Sequence, residues 1–343
     1  MTRSLKEFAQ MPKVVPFDGL HRTRAAKGGV AAPKVGVIYN PRSHRNKGQD
    51  LDCDSSPQIF VAQPGDREHI TLALADFARR GIDLLVINGG DGTVRDVLTC
   101  GAGIFGDDWP VLAVLPKGKT NAVTVDLEAP SDWSLQGAIH AFEHGRRIRR
   151  RPIRISSPLV PGAGVLGFVL GAGAFTLATR AGQSAHRLGA FNSLAVAVTT
   201  TWTVLQAVFA TNRNPWRRGA RMDLFVGPAL APFEHSGVGD PAYRRFLLAS
   251  TLERFPAGMR PFGAHGPGLK LAVLDQTRRT TMALLPAIIM GRKVRNQRER
   301  GIHQVSLGMF ELEIDDQIIL DGEAFPAGRY RIETGPELEF VAP

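Results

Sequence analysis

Cysteine is almost missing from this chain of 343 residues: only Cys53 and Cys100 occur. That excludes a disulfide framework and a cysteine-built zinc site, and makes the reducing cytoplasm the expected compartment. No Gly-x-Ser-x-Gly elbow is present, so a serine-hydrolase reading has no anchor. The opening stretch MTRSLKEFAQMPKVV lacks the unbroken apolar region of a signal peptide, and export by that route is not expected. Residues 191–212 carry no charge and are long enough to cross a bilayer, yet Thr199, Thr200, Thr201, Thr203 and Gln206 make them a poor spanning segment. A helix that lines a groove or lies against the core is expected there. Acidic residues are also in short supply, 32 against 42 lysines and arginines, which gives a net charge of +10. With a pI near 10.1, the protein should attract anions: nucleotides, anionic lipid surfaces or nucleic acid.

What is present is globular in texture, 43% hydrophobic and 22% charged, and long enough for two domains with separate cores. Residues 1–32 mix Arg3, Lys6, Lys13, Arg22, Arg24 and Lys27 with small residues and read as a basic extension of low order. Ordered structure should begin with a strand at Lys34–Tyr39, which enters the polar loop Asn40-Pro41-Arg42-Ser43-His44-Arg45-Asn46-Lys47-Gly48. A strand at Gln58–Ala62 and a helix over Asp66–Arg80, closed by Gly81, follow. Strand Leu84–Ile87 runs into Asn88-Gly89-Gly90-Asp91-Gly92-Thr93, a glycine loop from which a helix starts at Val94. Trp109–Leu115 reads as another buried strand and ends in Pro116-Lys117-Gly118-Lys119-Thr120-Asn121.

Alternating strands and helices predict an open parallel α/β sheet, whose ligands gather at the carboxyl ends of the strands. Three such ends carry polar or glycine loops. The glycines let backbone N–H groups approach an anion, and Asp91 is placed to hold a metal-bound phosphate. Gly118-Lys119-Thr120 is not a Walker A loop, since Ala113 stands where that motif needs glycine. The texture changes at Arg146–Arg154, where six arginines fall in nine residues without interleaved aromatics. Their alternation around Ile148, Ile153 and Ile155 suits the solvated face of a strand, with a lipid-headgroup role as the sharper alternative. We therefore expect an α/β domain over 33–145 and a mostly β, sandwich-like domain over 146–343, with a cleft between them. Asp321-Gly322-Glu323 reads locally as a two-residue hairpin turn.

Together these pieces resemble the diacylglycerol kinase catalytic family, which also holds sphingosine and ceramide kinases and bacterial lipid kinases. Asn40-Pro41-Arg42-Ser43 matches its Asn-Pro-x-Ser-Gly loop, Gly89–Thr93 its Gly-Gly-Asp-Gly-Thr signature, Pro116–Asn121 its Pro-x-Gly-Thr-x-Asn, and Asp321-Gly322-Glu323 its late Asp-Gly-Glu. Three positions depart from the pattern: His44 replaces a glycine, Arg95 a customary asparagine, and Lys119 a threonine that contacts phosphate. The resemblance implies ATP with Mg²⁺ as cofactors and a lipid hydroxyl, diacylglycerol-like or sphingoid, as acceptor, within phospholipid biosynthesis. It implies a nucleotide site at Asn40, Pro41, Arg42, Ser43, His44, Gly89, Gly90, Asp91, Gly92, Thr93, Val94, Arg95, Gly118, Lys119, Thr120 and Asn121. Asp91 would meet the metal, Glu323 with Asp321 would act as the base, and residues 164–175 and 191–212 would hold acyl chains. The segment His265-Gly266-Pro267-Gly268-Leu269 lacks the carboxylates with which bacterial relatives hold a structural metal, and none is expected. The expected partner is lipid at the inner face of an anionic membrane, with peripheral association and no nucleic acid; a homodimer is compatible with the sequence. The rivals are a non-catalytic nucleotide or lipid sensor of the same fold and an NAD kinase, which shares the Gly-Gly-Asp-Gly-Thr loop but usually continues with Asn-x-Gly-x-Leu-Gly-Phe.

Overall fold

The computed structural model describes residues 7, 10–13, 33–46, 57–177, 179, 218–264 and 266–343. The expectations for 191–212, Lys47, Gly48 and His265 lie outside these residues. Two sheets carry the fold. The first is built from β1 (Val35–Tyr39), β2 (Ile59–Ala62), β3 (Leu84–Gly89) and β4 (Val111–Pro116), all parallel. Their near-continuous apolar runs are those of strands covered on both faces. Helices α1 (Arg67–Arg80), α2 (Asp91–Phe105), α3 (Ala122–Asp126) and α4 (Leu135–His144) accompany them. The start of α1 is set by Asp66, whose side chain accepts from the His69 amide at 3.0 Å. Its end is set by Gly81, whose φ of 65° closes the last turn.

The arginine-rich β5 (Arg146–Arg150) belongs to this first sheet, although the boundary was expected just before it. After β6 (Ile153–Ser156), β7 (Gly164–Gly167), β8 (Val169–Gly173), β9 (Ala220–Val226), β10 (Ala231–Pro232), β11 (Tyr243–Ser250) and β12 (Leu269–Asp275) comes helix α5 (Arg279–Ile289). The chain then runs through β13 (Ile302–Leu307), β14 (Met309–Ile314), β15 (Ile318–Leu320), β16 (Glu323–Phe325) and β17 (Gly328–Thr334) to β18 (Leu338–Ala342). Strand β18 leaves the second sheet and inserts between β4 and β5, giving the order β2-β1-β3-β4-β18-β5. A split at 145/146 therefore does not follow the strand pairing. Periodicity marks a strand but not its partner; the apolar Leu338, Phe340, Val341 and Ala342, all buried, carry the pattern of a central strand.

The second sheet is antiparallel and curls through β16-β15-β8-β11-β9-β14-β17-β6-β7, with β12 and β13 continuing from β11. Its core gathers Ile155, Leu170, Leu247, Phe310, Phe325 and Tyr330. Part of the N-terminal extension is docked rather than loose: Met11 is buried in this core, and the Gly164 amide donates to the Pro12 carbonyl at 2.9 Å. Among the described residues no helix is long and apolar enough to cross a membrane.

Arg146, Arg147 and Arg149 of β5 face solvent as expected while Arg150 is largely covered, and these arginines and the following Arg151 are paired. Arg147 and Arg149 meet Glu339, Arg151 meets Glu337, and Arg150 is held by Asp126 and Glu253.

Candidate active site

The stretch expected as a glycine loop is shorter than that. Strand β3 runs to Gly89, Gly90 is the N-cap, and Asp91 is already the first residue of α2. Val94 accordingly lies in the core rather than at a ligand surface. The loop after β4 meets this turn with no space to spare. A methyl on Gly90 would lie 2.8 Å from the Gly118 Cα, and one on Gly118 would lie 2.7 Å from the Gly90 Cα. Only paired glycines allow so close a backbone approach. Gly118→Ala should push the two loops apart and lower nucleotide affinity about tenfold or more with little change in far-UV circular dichroism, as read by calorimetric titration; parental affinity would remove this role.

Asparagines lock the first loop to the second. Asn40 Nδ2 donates to Thr93 Oγ1 at 2.8 Å, and the Asn40 amide donates to the Asn88 carbonyl at 3.1 Å. Asn46 Nδ2 donates to Asn88 Oδ1 at 2.8 Å and to the Asn40 carbonyl at 2.9 Å. Asn46 and Asn88 were not singled out from the sequence, where only their position at strand ends could have marked them. Pro41, Arg42 and His44 are exposed and outside the cavity wall, while buried Ser43 closes a turn on the Asn40 carbonyl. On the third loop Asn121, at φ 52°, accepts from the Gly118 amide at 2.8 Å and leads into α3.

Asp91 is half-buried at the cavity wall. Its Oδ1 accepts from the Val123 amide at 3.3 Å, and burial, partly offset by the amides at the start of α3, raises its pKa. Facing it is the turn between β15 and β16. Asp321 and Gly322 have φ of 42° and 82°, the positive pair of a two-residue hairpin, so the local expectation of a turn holds. The turn also aims a carboxyl inward. Asp321 Oδ2 accepts from the Phe168 amide at 2.8 Å and Oδ1 from the Val169 amide at 2.9 Å. Burial first, and the charge of Asp91 second, push the Asp321 carboxyl up to about 7 against these amides and Arg95. Such a group can hold or release a proton at neutral pH.

Glu323 is placed differently. Its side chain is 1% exposed and is gripped by Arg67 and by Arg95, the latter at 3.1 Å. The same two guanidinium groups hold Asp96, at 2.9 and 3.0 Å. Arg95 donates in addition to the Asp321 carbonyl at 3.1 Å and the Leu320 carbonyl at 3.4 Å. Arg95 is thus a fastener between α2 and the β15–β16 turn rather than a lining residue, and Glu323 does not line the cavity that Asp91 and Asp321 share.

That cavity has a volume of about 800 Å³. One end is formed by Gly90, Asp91, Gly92, Gly118, Lys119 and Thr120. The other is walled by Phe246 and Leu248 of β11, Phe255, and Met282, Leu285 and Ile288 of α5. Of the stretch 164–175 only Val169, Ala174 and Phe175 contribute. The run from Met282 to Met290 is apolar throughout, but nothing in the sequence marks what it faces. Among the described residues no cluster of three or more His, Cys, Asp or Glu side chains could hold a metal, and exposed His140 and His144 on α4 stack on each other without a further ligand. Asp91 offers one carboxyl beside the glycine turns, a donor of the kind that suits Mg²⁺, an ion that commonly takes its other positions from water and phosphate oxygens.

Comparison with known proteins agrees with this architecture. The family model described as diacylglycerol kinase catalytic domain matches residues 34–155. No curated protein matches the chain. A candidate diacylglycerol kinase of Bacillus anthracis str. Sterne superposes with a TM-score of 0.63 at 15% identity, covering 91% of this chain and 97% of that one. A diacylglycerol kinase structure and a second candidate from the same organism give TM-scores of 0.55 and 0.59 at 14% and 15% identity, with the same coverage. At such identities the superpositions establish the shared fold and nothing beyond it. Residues 34–155 of the chain are thus similar to the diacylglycerol kinase catalytic domain.

Proposed function

We propose that the protein is an ATP-dependent lipid kinase, passing the γ-phosphoryl group of ATP to a lipid hydroxyl. The observation that carries this reading is the single cavity joining the glycine turns of Gly90 and Gly118 to the apolar wall of β11 and α5. A nucleotide triphosphate suits one end and a hydrocarbon chain the other. An NAD kinase would need polar groups for a second nucleotide where Phe246, Leu248 and Met282 stand.

Bound Mg-ATP would supply an electrophilic phosphorus with its charge partly neutralised and a departing ADP. The chain's own residues do the rest. Asp91 and the first amides of α2 hold the phosphate end, and Lys119 adds a positive charge beside it. The enclosed Asp321 carboxylate accepts the proton of the acceptor hydroxyl as its oxygen bonds to phosphorus and the bond to the ADP oxygen breaks. Arg95 and the amides of Phe168 and Val169 fix that carboxylate in place. The apolar wall excludes water, which suppresses hydrolysis of ATP in place of transfer.

The test is incubation with γ-labelled ATP and a total lipid extract, with the labelled product identified by mass. A labelled phospholipid that disappears with Asp91→Asn supports the reading. Label only in inorganic phosphate or none at all, across diacylglycerol and sphingoid acceptors, would overturn it and favour a non-catalytic lipid or nucleotide sensor.

A further inference from the structure

The helix that walls the cavity carries a second, outward-looking feature. At its C-terminal end Ile289 is 39% and Met290 53% exposed, and Ile289 reaches the cavity as well. Exposed cations stand at both ends of the helix. Arg278 and Arg279 open it, and Arg292, Lys293, Arg295, Arg298 and Arg300 follow its apolar C-terminal tip. Glu299 is the only carboxylate between Arg278 and Arg300, and it accepts from Asn296. Among the described residues none of these seven cations takes part in an ion pair. The arginines of β5 make the contrast, because those that looked equally available in sequence are paired with Glu337, Glu339, Asp126 and Glu253.

Unneutralised cations around an apolar tip are the complement of an anionic lipid surface, where headgroups meet the charges and the tip enters the acyl boundary. We propose that the face formed by α5 and residues 290–300 docks the protein on anionic bilayers, with the mouth of the apolar cavity turned to the membrane. This deepens the lipid-kinase reading, since the same helix would pass the acceptor from bilayer to site, but docking can be measured without catalysis. The segment acts as a surface anchor, and the bilayer gives its charges the counter-ions that the protein itself withholds.

The test uses the full chain without nucleotide, sedimented with vesicles of pure phosphatidylcholine or of phosphatidylcholine with about one-third phosphatidylglycerol. Binding is expected to the anionic vesicles alone, weakening as salt rises toward 0.5 M. The triple change Arg292→Gln, Lys293→Gln, Arg295→Gln should lower partitioning about 10²-fold, and Met290→Ser should remove the fraction that survives high salt. The matched control, Arg149→Gln with Arg151→Gln, should change partitioning by less than about threefold. Phosphorylation of a dispersed short-chain acceptor should be unaffected by the triple change, so loss of that activity in the parent would count against the kinase reading and not against docking. Equal binding to neutral vesicles, or parental binding by the triple variant, would overturn the docking face. So would a triple variant that loses DNA retention while keeping vesicle binding.

Discussion

Asp321→Asn is expected to lower turnover by about 10²–10⁴-fold while nucleotide still binds, the usual contribution of a positioned general base. The asparagine keeps the size of the side chain and one acceptor for the amides of Phe168 and Val169 but cannot take a proton. The pH dependence separates this from a loss of positioning. With the carboxyl of the free protein pushed up to about 7, parental kcat/KM should rise with pH below that value and level off above it. The residual activity of the variant should lack that limb. Stability carries the same signature with the opposite sense. The folded protein holds a proton on Asp321 up to about 7, whereas the unfolded chain releases it near the ordinary carboxylate value of 3.8. Stability from this group is therefore present at low pH and falls as pH climbs between the two values, by about 1.4 kcal/mol for each pH unit. Denaturant titrations at pH 5 and pH 8 should show the parent losing more stability than Asp321→Asn. A variant with parental turnover and the same acid limb would place the base elsewhere.

The sequence was most readable where one backbone rule governs one short segment. Asp66 and Gly81 bracket a helix by capping alone, and Leu84–Ile87 announces a covered strand by composition alone. Asp321-Gly322 is a hairpin turn by the same local logic, and the loops at the ends of β1, β3 and β4 mark a ligand edge. What could not be read was partnership. Leu338–Ala342 looks like the other strands of the tail but returns to the first sheet, because the pattern that marks a strand does not name its partner. The roles of the two late acids were likewise hidden. Asp321 and Glu323 are two residues apart, and only the pairing of Leu320 with Glu323 across the turn sends one carboxyl to the cavity and the other into the arginines. The cavity wall was harder still, since Phe246, Phe255 and Met282 come from separate segments, and an apolar run looks the same whether it meets protein or ligand. Arg95 stood out as a departure from the family pattern, and its position explains it: the long side chain spans from α2 to the turn carbonyls, a reach beyond an asparagine.

Glu323→Gln is expected to act chiefly on stability, which reverses the forecast for a catalytic base. The buried group now comprises Arg67 and Arg95 against Asp96 and Glu323, two charges of each sign. Glutamine keeps the shape but leaves one buried guanidinium without a counter-charge, and breaking a buried pair in this way costs about 3–5 kcal/mol. For units of this size that corresponds to a fall in Tm of roughly 10 °C. Because Arg95 also carries the turn that positions Asp321, some turnover should be lost with it, but the folded fraction should retain the acid limb near pH 7. The compensating change distinguishes the two roles. In the double variant Arg95→Gln, Glu323→Gln one charge of each sign is removed, Arg67 keeps Asp96, and much of the lost stability should return, giving a coupling energy well outside additivity. A base cannot be restored by deleting its neighbour. If Glu323→Gln instead melts with the parent, loses about 10²–10⁴-fold in turnover and is not improved by Arg95→Gln, then Glu323 is the proton acceptor and the arginines serve to keep it ionised.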